Sequence, residues 1–188
     1  MFCGSSAGSQ PAYLDSARRV GATLARAGIA LVYGGASVGT MGAVADAALE
    51  AGGHVIGIIP RALAHKEIAH YGLPDLRVVG SMHERKALMA ELSDAFIALP
   101  GGMGTLEELC EMLTWGQLGL HAKPCGLLNV LDYYSPLAAF FDHAVEHGFL
   151  RAEHRDMILV DDGVDSLLAR MRNYVPPVVP KWIVAAEA

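Results

Sequence analysis

Three stretches of the sequence hold residues able to do chemistry together. They are Gly34-Gly35-Ala36-Ser37-Val38-Gly39-Thr40-Met41-Gly42, Met82-His83-Glu84-Arg85-Lys86, and Pro100-Gly101-Gly102-Met103-Gly104-Thr105-Leu106-Glu107-Glu108. Glycines where a strand turns into a helix let backbone amides approach a phosphate, and the helix dipole favours its negative charge. The first stretch is not a Walker A loop, because no lysine follows its last glycine. Its spacing also departs from the dinucleotide fingerprint, and the next strand ends in Pro60-Arg61 rather than in an acid for the ribose hydroxyls. A tight turn with close helix–sheet packing explains it equally well.

The third stretch is sharper, with three glycines, Thr105 at the expected N-cap and acids in the first turn. Thr105-x-x-Glu108 also fits a capping box. A cap contributes only ~1 kcal/mol and accounts for neither the glycines nor a proline at the end of a buried strand. A carboxylate beside a phosphate site is a local conflict of the kind expected where function lives. Arg85 shares a helical face with Met82, Leu88, Met89 and Leu92. It is either a snorkelling surface residue or a guanidinium aimed into the site at a carboxylate or a ligand oxygen. Glu67, close to Lys66 and His70 in an irregular segment, is a weaker candidate of the same type.

The surrounding pattern must position these residues, and it alternates throughout. Strand-like runs at Met1–Cys3, Ile29–Tyr33, His54–Ile59, Leu76–Val79, Ala95–Leu99, Cys125–Val130 and Met157–Val160 are separated by helical patterns. The helices are expected at Pro11–Ala27, Met41–Ala51, Ser81–Leu92, from Thr105 to about Leu118, Ser135–His147 and Val164–Tyr174. This rhythm predicts an α/β fold, a Rossmann-like doubly wound parallel sheet with helices on both faces, in one domain over 1–188. Residues 175–188, with Pro176, Pro177 and Pro180, read as an extended tail. Ligands of such sheets bind beyond the carboxyl ends of the strands, where both glycine loops fall.

Composition narrows the function. The 188 residues are 53% hydrophobic and 18% charged, with 20 acidic against 14 basic side chains and a formal charge of −6. Disorder is excluded, because so apolar a chain can offset its ordering entropy. A broad nucleic-acid surface is not expected without a basic face. Cys3, Cys110 and Cys125 make no disulfide framework, which points to a reducing cytoplasm. The uncharged run Ala27–Ala45 is broken by Gly34-Gly35, so no membrane association is expected.

Taken together, the glycine loop, Met82-x-x-Arg85-Lys86 and Pro100-Gly-Gly-x-Gly-Thr-x-x-Glu108 resemble the Lonely Guy (LOG) family of cytokinin-activating phosphoribohydrolases. The resemblance runs from Cys3-Gly4-Ser5-Ser6 through Thr114-Trp115-x-Gln117-Leu118-Gly119 and Lys123-Pro124 to Met157–Val160. It implies hydrolysis of the N-glycosidic bond of AMP-type nucleotides, N6-modified or plain, to free base and ribose 5-phosphate. It further implies no cofactor and no metal, and a homodimer with sites near the interface. By motif position Arg85 and Glu108 take the catalytic places. Gly35, Glu67, Met82, Lys86, Gly101, Gly102, Met103, Gly104, Thr105, Leu106, Glu107 and Thr114 become substrate contacts. Family members usually carry several more apolar residues before Cys3-Gly4-Ser5, so the first strand reads as short.

These residues suit the chemistry. Breaking an N-glycosidic bond builds positive charge on the ribose. A fixed carboxylate at C1′, Glu108, stabilises that charge and orients or deprotonates water. Arg85, whose pKa exceeds about 12, positions rather than donates a proton. Two other patterns weigh less. His143-x-x-Glu146-His147 matches an inverted zinc-peptidase pattern, but at a helix end, where the dipole favours histidine. The label "lysine decarboxylase", which the LOG family has carried, needs a Schiff-base lysine, and only Lys86 lies near the site. A non-catalytic nucleotide or cofactor carrier is the rival, distinguished by having no need of a carboxylate at C1′.

Overall fold

The computed structural model describes residues 1–64 and 68–177. Strands β1 (Leu31–Tyr33), β2 (Val55–Pro60) and β3 (Asp75–Val79) form one parallel set; β4 (Phe96–Ala98), β5 (Cys125–Leu128) and β6 (Ile158–Asp161) form another. The N-terminal segment joins them. Phe2 bridges Ala98 in parallel, donating its N–H to the Ile97 carbonyl at 2.9 Å and accepting from the Leu99 amide at 2.9 Å. On its other side, the Met1 amino group donates to the Val32 carbonyl at 2.8 Å. Spatial order is therefore β3-β2-β1-(1–3)-β4-β5-β6, and the chain turns outward in both directions from its own first residues. That is the switch point of a doubly wound sheet.

Side chains alternate across this sheet as a twofold strand period requires. Cys3, Tyr33, Val55, Ile97, Leu99 and Leu128 pack against α1 (Pro11–Arg26), α2 (Gly39–Glu50) and α8 (Val164–Arg172). Phe2, Val32, Ile58, Phe96, Ala98 and Leu127 face α4 (Met82–Leu92) and α5 (Met103–Gln117). Because both faces are covered, β1, β2, β4 and β5 are buried along their whole length. The remaining helices are α3 (Arg61–Leu63), α6 (Ser135–Glu146) and α7 (Ala152–Arg155). Helix α6 buries no residue completely; Leu137 and Phe141 lean on the core while Phe140 is exposed.

The six later strands and the six expected helices are present within two residues at each end, with β1, β4 and β5 shorter than expected. The Met1–Cys3 run pairs only as an isolated bridge at Phe2, α7 has no counterpart in the sequence pattern, and two further segments differ. The stretch after β2, expected to be irregular, opens with α3 and then pairs antiparallel through Ala69 with Ala36. Helix α5 begins at Met103 with Gly102 as N-cap, earlier than the Thr105 start that the capping pattern predicts. Thr105 is thus its third residue, and Glu107 and Glu108 lie in the second turn. Residues 178–188 of the tail lie outside the described residues.

Helices α1 and α2 touch backbone to backbone at Gly21, where an added Cβ would sit 2.1 Å from the Val44 carbonyl oxygen. Gly→Ala inside a helix ordinarily gains about 0.5–1 kcal/mol. Here overpacking against backbone dominates. Gly21→Ala is expected to destabilise the fold by about 1–3 kcal/mol, measured as a lower urea midpoint at unchanged slope.

Candidate active site

Helices α1, α2, α4 and α5 are among those that begin at the carboxyl rim of the sheet. Each could offer free amides, but the two glycine turns are not equivalent. At α2, the Thr40 amide donates to the Ser6 carbonyl at 3.4 Å and the Met41 amide to the Gly4 carbonyl at 3.3 Å. The Thr40 hydroxyl also donates to the Gly4 carbonyl, at 2.9 Å. The loop after the first strand therefore caps α2 with its own carbonyls. The turn's glycines serve packing. Gly35 has φ +73° and presses on Ile58, and Gly39 has φ +60° with its missing Cβ 2.4 Å from the Ser5 carbonyl carbon. The backbone of 35–37 is held from outside, because His70 donates its N–H to the Gly35 carbonyl at 2.8 Å and Ser37 its own to Ile68 at 2.9 Å.

At α5 the situation is reversed. Among the described residues no side chain caps the first amides, and an added Cβ at Gly102 or Gly104 would meet nothing within 4 Å. Gly101 is the tight one: its missing Cβ would lie 2.1 Å from the Thr105 hydroxyl. Of the two glycine turns on this rim, the one that leaves its helix amides open is therefore the N-terminus of α5.

Glu108 and Thr105, three apart on one face of α5, both point inward and are buried. Arg85 enters from α4, whose start is fixed by Ser81: its hydroxyl accepts from the Glu84 amide at 3.1 Å, and the Glu84 carboxylate accepts from Gly80 at 2.6 Å. The guanidinium of Arg85 donates through Nε to the Ile58 carbonyl at 3.1 Å and lies 3.8 Å from the Met82 sulfur. Its Nη1 is 3.4 Å from Glu108 Oε1. Side-chain exposure is 10% for Arg85 and 9% for Glu108, so both charges are almost out of water. Burial pushes the Glu108 carboxyl above the ordinary glutamate value, and the Arg85 guanidinium opposes the shift without cancelling it. Gly34, not singled out by its motif, makes this possible: its missing Cβ would fall 2.1 Å from Arg85 Nη2.

The other expected contacts divide. Met103 is exposed beside the open turn, while Leu106 packs against the core under α4 and α5. Lys86 is buried with its ammonium bonded to Glu107 and, at 3.0 Å, to Glu111. Hydrogen bonding to Glu107 first, then to Glu111, raises its pKa, so it is a locked cation rather than a free amine. Thr114 is exposed and donates to the Cys110 carbonyl within its own helix at 2.7 Å. Glu67 lies outside the described residues. Burial raises the Cys3 and Cys125 thiols to about 12, which removes them as nucleophiles. His143 and His147 lie with ring centres 4.2 Å apart near the end of α6. A groove of about 620 Å³ at the amino ends of β1 and β4, lined by Met1, Leu31, Ala95 and Pro124, is remote from this chemistry. Tyr133 and Tyr134 belong to no motif, and their hydroxyls donate to the Gly101 and Leu99 carbonyls, each at 2.6 Å.

Fold and rim define a Rossmann-like α/β protein with its site at the strand switch. Two solved structures share the fold. A molybdenum cofactor binding protein from Rippkaea orientalis has TM-score 0.68 and 24% identity, over 91% of this chain and 93% of that one. The Moco carrier protein of Chlamydomonas reinhardtii has TM-score 0.67 and 25% identity, over 91% and 92%. A family model described as "Possible lysine decarboxylase" matches residues 41–171. Curated relatives are much more similar. One, from Oryza sativa subsp. japonica, is named a probable cytokinin riboside 5′-monophosphate phosphoribohydrolase and is 52% identical over 94% of this chain and 78% of its own length. Proteins named cytokinin riboside 5′-monophosphate phosphoribohydrolase from Arabidopsis thaliana and Rhodococcoides fascians are 49% and 50% identical, over 94% and 92% of this chain and 83% and 88% of theirs. The chain belongs to the LOG family. The decarboxylase description finds no Schiff-base lysine among the described residues: Lys86 is locked, and Lys123 donates to the Ala90 carbonyl at 2.8 Å.

Gly34→Ala tests the Arg85 placement. The clash falls on the end of a flexible side chain, so stability should change by less than about 1 kcal/mol. The guanidinium should leave Ile58, and turnover should fall at least tenfold while circular dichroism stays parental.

Proposed function

We propose that the protein hydrolyses the N-glycosidic bond of AMP-type nucleotides, plain or N6-modified, to free base and ribose 5-phosphate. One observation carries the reading: a buried carboxylate, raised in pKa, one helical turn beyond an uncapped helix N-terminus. A 5′-phosphate on the amides of Gly102 to Thr105 places the ribose over Glu108. The C1′–N9 bond breaks with its electron pair leaving on the base, and water adds to C1′. The carboxylate of Glu108 stabilises the cationic ribose and takes the proton of the attacking water. The departing base gains one proton from solvent, so that one water is consumed and Glu108 is restored when it releases its proton. Arg85 holds Glu108 in place and opposes the rise in proton affinity that burial causes. Relatives about 50% identical and named for this hydrolysis support the reading. The cofactor carriers support the fold, and their lower identity brings no argument for carriage.

The same reading makes the protein a cytoplasmic homodimer. Met103, Glu107, Cys110 and Thr114 form one exposed stripe along α5, open to a second copy of the chain. Light scattering should give twice the chain mass of 19.9 kDa.

Glu108→Gln should lower release of ribose 5-phosphate from AMP by about 10²–10⁴-fold. The variant should unfold at the same or a higher temperature at neutral pH. The folded carboxyl binds its proton more tightly than the unfolded one, so ionising it costs stability as pH rises through the raised value. By the same sign, parental kcat should fall on acidification at a pH above the ordinary glutamate range. Parental turnover in Glu108→Gln contradicts the assignment. Adenosine, which lacks the phosphate, should be a far poorer substrate than AMP.

A further inference from the structure

The turn that forms the open anion position is held from outside by a loop with no part in the motifs. After β5, residues 129–135 include Leu131 at φ 52° and Asp132 at φ 59°, the two non-glycine residues with positive φ among those described. Two side-chain residues in succession in the left-handed region persist only where the surroundings over-determine them. Asn129 does this. It is buried; its amide nitrogen donates to Ser135 at 3.1 Å and Asp162 at 3.2 Å, and its side-chain oxygen accepts from the Tyr134 amide at 2.8 Å. Its own N–H donates to the Asp161 carbonyl at 2.8 Å, tying the loop to β6. The product of this reversal is a pair of adjacent tyrosines aimed at a single target. Tyr134, fully buried, reaches the Leu99 carbonyl, and Tyr133 reaches the Gly101 carbonyl. Their rings meet edge to face at 5.1 Å, and Tyr13 braces Tyr133 at 5.9 Å.

We propose that Tyr133 is a positioning residue for the anion-binding turn, setting the direction of the Gly102 amide through the Gly101 carbonyl. The peptide unit between Gly101 and Gly102 is planar and trans, so its C=O and N–H point in opposite directions. Holding the carbonyl against Tyr133 turns the Gly102 N–H away from it, toward the start of α5. Gly101 cannot be fixed by a side chain of its own, because a Cβ there would strike Thr105. Pro100 has no amide to anchor the turn. The tyrosine hydroxyls supply the restraint that this short glycine segment lacks.

This inference rests on the phosphate reading above, and its test separates the two. Ribose 5-phosphate and adenine are titrated calorimetrically into the parental protein, Tyr133→Phe and Tyr174→Phe. Tyr133→Phe keeps the ring contacts and removes only the hydroxyl. It should bind ribose 5-phosphate about tenfold more weakly, bind adenine as the parent does, and unfold within a degree or two of it. Tyr174→Phe, remote at the end of α8, should match the parent throughout. Equal losses for both ligands, or no loss for ribose 5-phosphate, overturn the role of Tyr133 while leaving the site reading intact. A parental protein that does not bind ribose 5-phosphate overturns both.

Discussion

A carboxylate and a guanidinium 3.4 Å apart, both nearly excluded from water, constrain the rest of this molecule. Burying such charges is costly unless the geometry is fixed and the remaining donors are satisfied. The structure meets the first condition from separate elements. The Ser81 cap starts α4 at the right residue, β2 lends the Ile58 carbonyl, and Gly34 leaves its side-chain volume empty for Arg85. The pairing is incomplete all the same. Arg85 and Glu108 sit at contact distance without a close hydrogen bond, and burial outweighs the guanidinium in setting the carboxyl's proton affinity.

The second constraint concerns which helix ends are closed. Amides at α2 are satisfied by Gly4 and Ser6, and the glycines there let three backbone segments touch. At α5 the amides stay open, and the fold spends two left-handed residues and two tyrosine hydroxyls on holding that open turn still. Two glycine turns of similar composition thus do opposite work. One is closed by the chain's own carbonyls and the other leaves its amides open at the rim.

Much of this was legible in the sequence. The alternation of apolar runs with helical patterns located the six strands of the sheet, Arg85 stood out as a charge on an otherwise apolar face, and Glu108 as a carboxylate beside a glycine turn. The capping pattern at Thr105 was misleading, because Gly102 can itself cap a helix and the open amides need no side chain there. Lys86 drew attention by its place in a motif, although its ammonium is committed to Glu107 and Glu111 one helix away, a pairing that only tertiary packing reveals. Gly34 and Tyr133 were not distinguishable for the same reason. Their significance lies in atoms contributed by Arg85 and Gly101, distant in sequence by 51 and 32 positions. The central role of Phe2 likewise follows from its two neighbouring strands rather than from its own short run.

The most direct measurement of the central claim is a crystal structure of Glu108→Gln soaked with AMP, in which the nucleotide survives for observation. The account predicts the 5′-phosphate on the amides of Gly102 to Thr105, with C1′ in van der Waals contact with the residue 108 side chain. A phosphate seated at α2, or a sugar whose anomeric carbon faces away from residue 108, would contradict it.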